Sequence, residues 1–247
     1  MIDIHTHILP GVDDGSESLE MSMEMIRMAA DSGTSVIVAT PHNYLPGLIQ
    51  DLKELRSRFY ELSEKIQEEQ IDIKLVSGME IFATWEMPEL LSKGQVWTLN
   101  RTKYFLTEFD FEEDPFFCTR VLERCKKRGF LPVIAHPERY EFVQRSPVIV
   151  YEWICEGYGI QINKGSLLGR FGSGPKHTAE ILMGCGLVSC IASDAHSPWS
   201  RTPHMTEIRE LLEDEYGTDY TRMVLEENPR RILQGKELVG YEPIYPY

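Results

Sequence analysis

No stretch of the chain approaches the ~20 consecutive apolar residues that a bilayer-spanning helix needs, and the opening MIDIHTH lacks the basic-then-apolar pattern of a secretion signal. Direct membrane insertion is not expected, and the expected compartment is the cytoplasm. Positive charge is scarce: 25 Lys and Arg stand against 39 Asp and Glu, a formal net charge of -14. Sequence-independent binding to nucleic acid depends on Lys and Arg neutralising phosphates, so DNA and RNA are not expected as partners. The short basic run Lys126-Lys127-Arg128 reads as the solvated end of a helix. Five cysteines (118, 125, 155, 185 and 190) form no CxxC pair and leave one over, which argues against a zinc ribbon and a disulfide framework. Reduced, largely buried thiols are expected. Linkers, internal repeats and low-complexity tracts are also missing.

What is there suits one globule. With 247 residues, 42 % apolar and 26 % charged, the chain can fill a sizeable core and is expected to form a single domain over residues 1–247. Strand-like runs recur at Ile2-Ile4, Ser35-Thr40, Ile71-Val76, Tyr104-Thr107, Leu131-Ala135, Gly159-Ile162 and Val188-Ala192. Helical patterns lie between them. Leu52, Leu55, Phe59, Leu62 and Ile66 repeat every three or four residues, and the segments Ser18-Ser32, Pro115-Arg128 and Pro147-Glu156 each stop at a glycine. Repeated βα units with short connections predict an α/β fold, a parallel sheet with helices outside, closed into a barrel or a distorted version of one.

Polar residues follow the predicted strands in series. His5 and His7 follow the first, His42 the second, Glu80 the third, Glu108 the fourth, His136 the fifth, Asn163 the sixth, and Asp194 with His196 the seventh. In a parallel β/α barrel the C-terminal strand ends converge on one face, so these groups should share a pocket. Only His177 and His204 of the seven histidines fall outside the series, near predicted helix starts. Together with Asp14, the set offers nitrogen donors from His5, His7, His42, His136 and His196 and oxygen donors from Asp14, Glu80, Glu108 and Asp194. That exceeds what one ion can use and suits two or three divalent ions. Three such ions, about +6, against four carboxylates leave a site near +2, a local sink for phosphate in an acidic protein. Clustered ions generate hydroxide from water and clamp substrate oxygens, and Arg139 and Arg201 add planar guanidinium groups suited to phosphate, so phosphate ester hydrolysis is the expected chemistry. Direct attack of a metal-bridging hydroxide on phosphorus is the expected mechanism. Mixed nitrogen and oxygen ligands suit manganese, iron, zinc or cobalt.

The segments MIDIHTHILPGVDDG, TPHNY, GMEIF, LTEF, IAHPERY, QINKGS and IASDAHS resemble the polymerase-and-histidinol-phosphatase (PHP) superfamily. Within it they are most similar to manganese-dependent protein-tyrosine phosphatases encoded with capsule and exopolysaccharide genes in Gram-positive bacteria. The likeness runs from Met1 to about Leu233. It implies the PHP fold, a distorted TIM-like (β/α)7 barrel. It also implies one ion on His5, His7, Glu80 and Asp194, a second on Glu80, Glu108 and His136, and a third on Asp14, His42 and His196, with Glu80 bridging. Arg139 and Arg201 resemble the family's phosphate-binding arginines, and His204 in TPHM either lines the pocket or caps a helix. The substrates implied are phosphotyrosines in the C-terminal tyrosine cluster of a partner tyrosine kinase. A phenolate leaves readily, because the phenol has a pKa near ~10, so the site needs little general acid; His196 or a bound water would serve.

Two other functions fit the same residues: a phosphatase for a small monoester such as histidinol phosphate, and a non-catalytic phosphotyrosine-binding regulator. A nuclease is disfavoured by charge. Cys118 and Arg124 match the spacing of cysteine-dependent tyrosine phosphatases, yet the intervening residues lack glycine and lie in a predicted helix, so a catalytic Cys118 is not expected. The tail YEPIYPY carries Tyr241, Tyr245 and Tyr247. It faintly resembles a tyrosine cluster, but an edge packed on the body or left mobile is the expected role.

Overall fold

The computed structural model describes residues 1–45 and 48–246, with side chains at 45, 48 and 49 left aside. Three parallel strands, β1 (Ile2–Thr6), β2 (Val36–Ala39) and β3 (Lys74–Ser77), form one sheet in that order. Five more, β4 (Glu80–Phe82), β5 (Tyr104–Glu108), β6 (Leu131–Ala135), β7 (Gly159–Asn163) and β8 (Cys190–Ala192), form a second parallel sheet. Single bridges join the sheets at both edges, Thr6 to Ala195 and His42 to Glu80. The ring is therefore a distorted barrel whose seams are points rather than continuous ladders.

Seven strands were expected, and the third is interrupted. Gly78 separates β3 from β4, and its N–H donates to Ala39 O at 2.9 Å. A Cβ there would lie 2.8 Å from Val38 Cγ1 and 2.9 Å from Leu99 Cδ2, so any larger residue would have to push these side chains aside. Just beyond, Glu80 N–H donates to Pro41 O at 3.1 Å and β4 takes up its register with β5, Glu80 opposite Leu106. The break turns Glu80 into the first residue of a new strand instead of a loop residue after an old one.

Helices cover the outside, and their ends follow from local chemistry. Ser18 caps helix Leu19–Asp31 by accepting from Met21 N–H at 3.3 Å, Asp51 caps helix Leu52–Glu68 through Lys53 N–H at 2.8 Å, and Asp114 caps helix Pro115–Lys126 through Phe116 N–H at 2.9 Å. Alternate strand residues face opposite ways. Ile37, Phe105 and Ile134 join the large cluster that includes Met25, Ile26, Leu55, Leu62 and Val121 from the helices. Their neighbours Val38, Leu106 and Val133 join a smaller cluster with Ile4, Val76, Ala192 and two residues of helix Asn228–Leu233, Ile232 and Leu233. No described helix is long and apolar enough to cross a membrane.

The tail packs on the body. Tyr241 stacks on Tyr220 at 5.6 Å, Tyr245 meets Tyr151 edge-on at 5.2 Å, and Ile244 N–H donates to Cys185 O at 2.9 Å; Tyr247 lies outside the described residues. Cys118, Cys125 and Cys190 are buried as expected, whereas Cys185 is half-buried and Cys155 exposed, because both fall at the solvent ends of helices. Gly78→Ala should lower the urea midpoint by the equivalent of about 2 kcal/mol, an overpacking cost that equilibrium unfolding measures directly.

Candidate metal centre

All nine candidate ligand side chains, eight from strand ends together with Asp14, meet in one cluster. Glu80 is at its middle: its Oε2 lies 3.2 Å from His5 Nε2, 3.2 Å from His7 Nε2 and 3.2 Å from His42 Nδ1, while its Oε1 lies 3.0 Å from His136 Nε2. Asp194 Oδ1 is 3.4 Å from His5 Nε2 and 3.5 Å from His7 Nε2. Glu108 Oε1 stands 2.8 Å from His42 Nδ1. Toward the mouth, Asp14 Oδ1 lies 3.5 Å from both His42 Nε2 and His196 Nε2. Three subsets could each hold an ion: His5, His7 and Glu80; His42, Glu80 and Glu108; and His7, Asp14, His42 and His196. His42 belongs to two of them through its two ring nitrogens.

A layer of buried groups aims these ligands. Asp13 Oδ2 accepts from His7 Nδ1 at 2.8 Å and from His42 N–H at 3.1 Å, and its Oδ1 accepts from Gly15 N–H at 3.0 Å. His5 Nδ1 donates to Gln161 Oε1 at 2.8 Å; Gln161 Nε2 donates to Asn163 Oδ1 at 2.8 Å, and Asn163 Nδ2 to Asp194 Oδ2 at 2.6 Å. His196 Nδ1 pairs with Asp194 O at 3.0 Å. With one nitrogen of each of these three rings engaged, the other is left for the cluster. Gly15 is required because a Cβ would fall 2.1 Å from His7 O. His136, Asp194 and Arg201 have φ of 35°, 50° and 50°, three of the six described non-glycine residues in the left-handed region, so backbone strain gathers here.

The electrostatics are those of a cation site. Burial opposes charge on His7, but Asp13, Asp194 and Glu80 outweigh it and hold its pKa well above the imidazole range; Glu80 and Asp194 also raise that of His5 against its burial. Despite burial, His5, His42 and His136 hold Glu80 well below the carboxylate range, and His5, His7 and Arg201 do so for Asp194. Burial and the neighbouring His7 lower His196, leaving a neutral ring. The carboxylates thus create a negative field that drives His5 and His7 toward protonation, and divalent cations would relieve the same field. Orphaned atoms agree. His136 Nδ1, Asp194 Oδ1 and His196 Nε2 are buried with no hydrogen-bond partner among the described residues, which is costly unless something else satisfies them.

Two guanidinium groups border the cluster. Arg139 is sandwiched between Phe111 and Phe171, each ring centroid 4.6 Å from its Cζ, with Asp194 Oδ2 3.7 Å from one of its terminal nitrogens. Arg201 is paired with Asp194. Lys164, buried, donates to Thr202 O and His204 O, each at 2.5 Å, and so fastens the loop that carries Arg201; burial lowers its pKa to about 8. His204 contributes that carbonyl oxygen and not its ring: the residue is exposed, and helix Thr206–Tyr216 takes its N-cap from Met205, so His204 does not cap it. His177 lies within helix Ser173–Gly184, exposed. Cys118 is buried in a helix, its thiol pushed up by that burial, and Arg124 is spent on Glu89 and Trp85 O.

Asp13, Gln161, Glu138 and Lys164 were missed by reading strand ends. The doubled acid in VDDG signalled Asp13, since one of two adjacent carboxylates must turn back into the protein. Glu138 Oε1 accepts from Asn163 N–H at 3.0 Å and Ser166 Oγ at 2.6 Å, tying the His136 turn to β7.

A distorted β/α barrel that gathers five imidazoles and four carboxylates at one end defines a class, that of barrels whose clustered side chains could hold divalent ions. The chain belongs to the CpsB/CapC family of capsular polysaccharide synthesis, whose model matches residues 1–234. It is 35 % identical to the tyrosine-protein phosphatase YwqE of Bacillus subtilis over 98 % of this chain and 95 % of that one, and 32 % identical to the tyrosine-protein phosphatase CpsB of Streptococcus pneumoniae over 94 % and 98 %. A crystal structure from the work on YwqE and CpsB, described as metal-dependent tyrosine phosphatases, superposes with a TM-score of 0.93 over 99 % of each chain. At 14 % identity and a TM-score of 0.58, over 86 % of this chain and 93 % of that one, a histidinol phosphate phosphatase from Lactococcus lactis shares the fold.

Asp13→Asn keeps the volume but removes the charge behind His7. Calorimetric titration with Mn2+ should show affinity weakened by about 10-fold to 100-fold, and an unchanged affinity would remove Asp13 from any role in aiming the ligands.

Proposed function

We propose that this chain is a metal-dependent protein-tyrosine phosphatase that removes phosphate from the C-terminal tyrosine cluster of a tyrosine kinase in capsule or exopolysaccharide synthesis. The single observation that carries this reading is the convergence of five imidazoles and four carboxylates beside two guanidinium groups. Two or three divalent ions, manganese first and iron, zinc or cobalt as substitutes, fit the donor set. We assign His5, His7, Glu80 and Asp194 to one ion, Glu80, Glu108 and His136 to a second, and Asp14, His42 and His196 to a third. The working unit is one domain over residues 1–247, acting in the cytoplasm.

Divalent ions bound there supply a nucleophile from water near neutral pH and take up charge on the phosphoryl oxygens. The chain's own residues do the rest. Arg139, stiffened by the rings on both faces, and Arg201, oriented by Asp194, hold the non-bridging phosphate oxygens and offset charge as the ester bond breaks. Glu80 and Asp194, held anionic, are ready as ligands without first losing a proton. The neutral ring of His196 suits a ligand better than a strong acid, and a phenolate leaving group, with a conjugate acid of pKa ~10, asks little of one.

The test is parallel measurement of kcat/KM on a phosphotyrosine peptide and on histidinol phosphate, with elemental analysis of protein purified without chelator. Preference for the peptide by about 100-fold or more is expected. Preference for the small ester would make this a metabolite phosphatase, and peptide binding without phosphate release would make it a regulator. His136→Ala and Asp194→Ala should each lose at least about 100-fold in activity together with bound metal. Arg139→Ala should lose about 100-fold with metal retained, whereas Cys118→Ser should retain activity.

A further inference from the structure

The cavity beside the cluster, about 380 Å³, is lined by two kinds of side chain. Glu80, Glu108, His136, Arg139 and Arg201 bring polar groups to it, and Tyr44, Phe82 and Phe111 bring aromatic rings. Phe111 is 42 % exposed and Tyr44 46 % exposed, large rings left facing water at the mouth of a buried charged site. Tyr44 and Phe82 lie ring to ring at 6.3 Å, tilted by 47°, and Phe111 stands edge-on to His136 at 6.3 Å. Phe111 also covers one face of Arg139.

That last contact sets a direction. A phosphate group held by Arg139 has Phe111 beside it, and this ring lines the same cavity, within reach of a substituent on the ester oxygen. Resting on the phosphatase reading, we propose that Phe111, with Phe82 and Tyr44, forms an aryl-binding wall that selects phosphate monoesters of phenols over those of alkyl alcohols. A phenyl ring can lie against these rings in offset or edge-on contact, and it removes from water both its own face and theirs. The short methylene of a phosphoserine leaves the wall uncovered. Phe171 is the internal control: it covers the other face of Arg139, does not line the cavity, and is pressed against Gly165, where a Cβ would lie 2.7 Å from its ring. Phe171 is thus a positioning residue for the guanidinium, and Phe111 both positions and selects.

Phenylphosphonate and methylphosphonate share a head group and differ in the ring, so their relative binding is independent of leaving-group chemistry. Calorimetry on the metal-loaded full chain should give the phenyl compound an advantage of about tenfold. Phe111→Ala should cut that advantage to about twofold or less, and Phe171→Ala should weaken both ligands in the same proportion. Phe111→Leu, which keeps apolar bulk without a flat π face, should fall between and covers the case in which alanine disturbs the loop. An advantage that survives Phe111→Ala and Phe111→Leu, or that the unaltered protein lacks, overturns the wall. The same variants assayed on phosphotyrosine and phosphoserine peptides separate the two readings. Hydrolysis with an unmoved aryl preference sinks the wall alone, and ring-dependent binding with no hydrolysis of any ester sinks the phosphatase alone.

Discussion

Glu80 is the carboxylate on which the rest of the site turns. Four imidazoles from three strand ends approach it within 3.2 Å, on both of its oxygens, in a place from which water is nearly excluded. A buried anion of this kind is tolerable only when surrounded by groups that stabilise its charge, and removal of such groups would leave an uncompensated charge in a low dielectric. The interruption at Gly78 exists in that context. It lets β3 finish its pairing with β2 while Glu80 begins a strand paired with β5, so the carboxylate sits at the seam between the sheets and can be reached from both.

The cluster is braced by polar groups set behind its side chains. Asp13 behind His7, the amide relay from Gln161 through Asn163 to Asp194, and Glu138 behind the His136 turn each satisfy the far side of a ligand or of the backbone that carries one. Such networks are stabilising only when nearly complete, and among the candidate ligands Asp194 Oδ1 and His196 Nε2 remain without a hydrogen-bond partner. Strain follows the same map, with left-handed backbone at His136, Asp194 and Arg201. Stability has been given up locally for ligand direction, and the surrounding barrel, with its two apolar clusters, makes that sustainable.

Much of this was legible beforehand. Parallel βα units with short connections bring C-terminal strand ends together, and the nine ligand candidates and two arginines follow from that rule and from the character of their side chains. Helix ends were legible for a local reason, because Ser18, Asp51 and Asp114 satisfy amides within three residues of themselves. The split of the third strand was not, since hydrophobic period cannot say which neighbour a strand pairs with. Nor was the division of labour between Asp13 and Asp14, two identical side chains one residue apart, of which one turns inward to His7 and the other lies at the mouth, its side chain 53 % exposed. His204 misled because its ring drew notice while its carbonyl oxygen does the bonding.

By itself the sequence determined the inventory and its order: which side chains can bind ions, that they follow strands, and where helices begin and end. These are properties of a residue and its near neighbours, set by side-chain chemistry and by backbone preferences that act over a few positions. Tertiary structure alone decided which ring nitrogen faces the cavity, which of two adjacent acids turns back, and that Phe111 and Phe171 close on Arg139 from sites sixty residues apart. Those outcomes depend on distances of a few ångströms between segments remote in sequence, and electrostatic and stacking interactions vary too steeply over such distances for order along the chain to specify them.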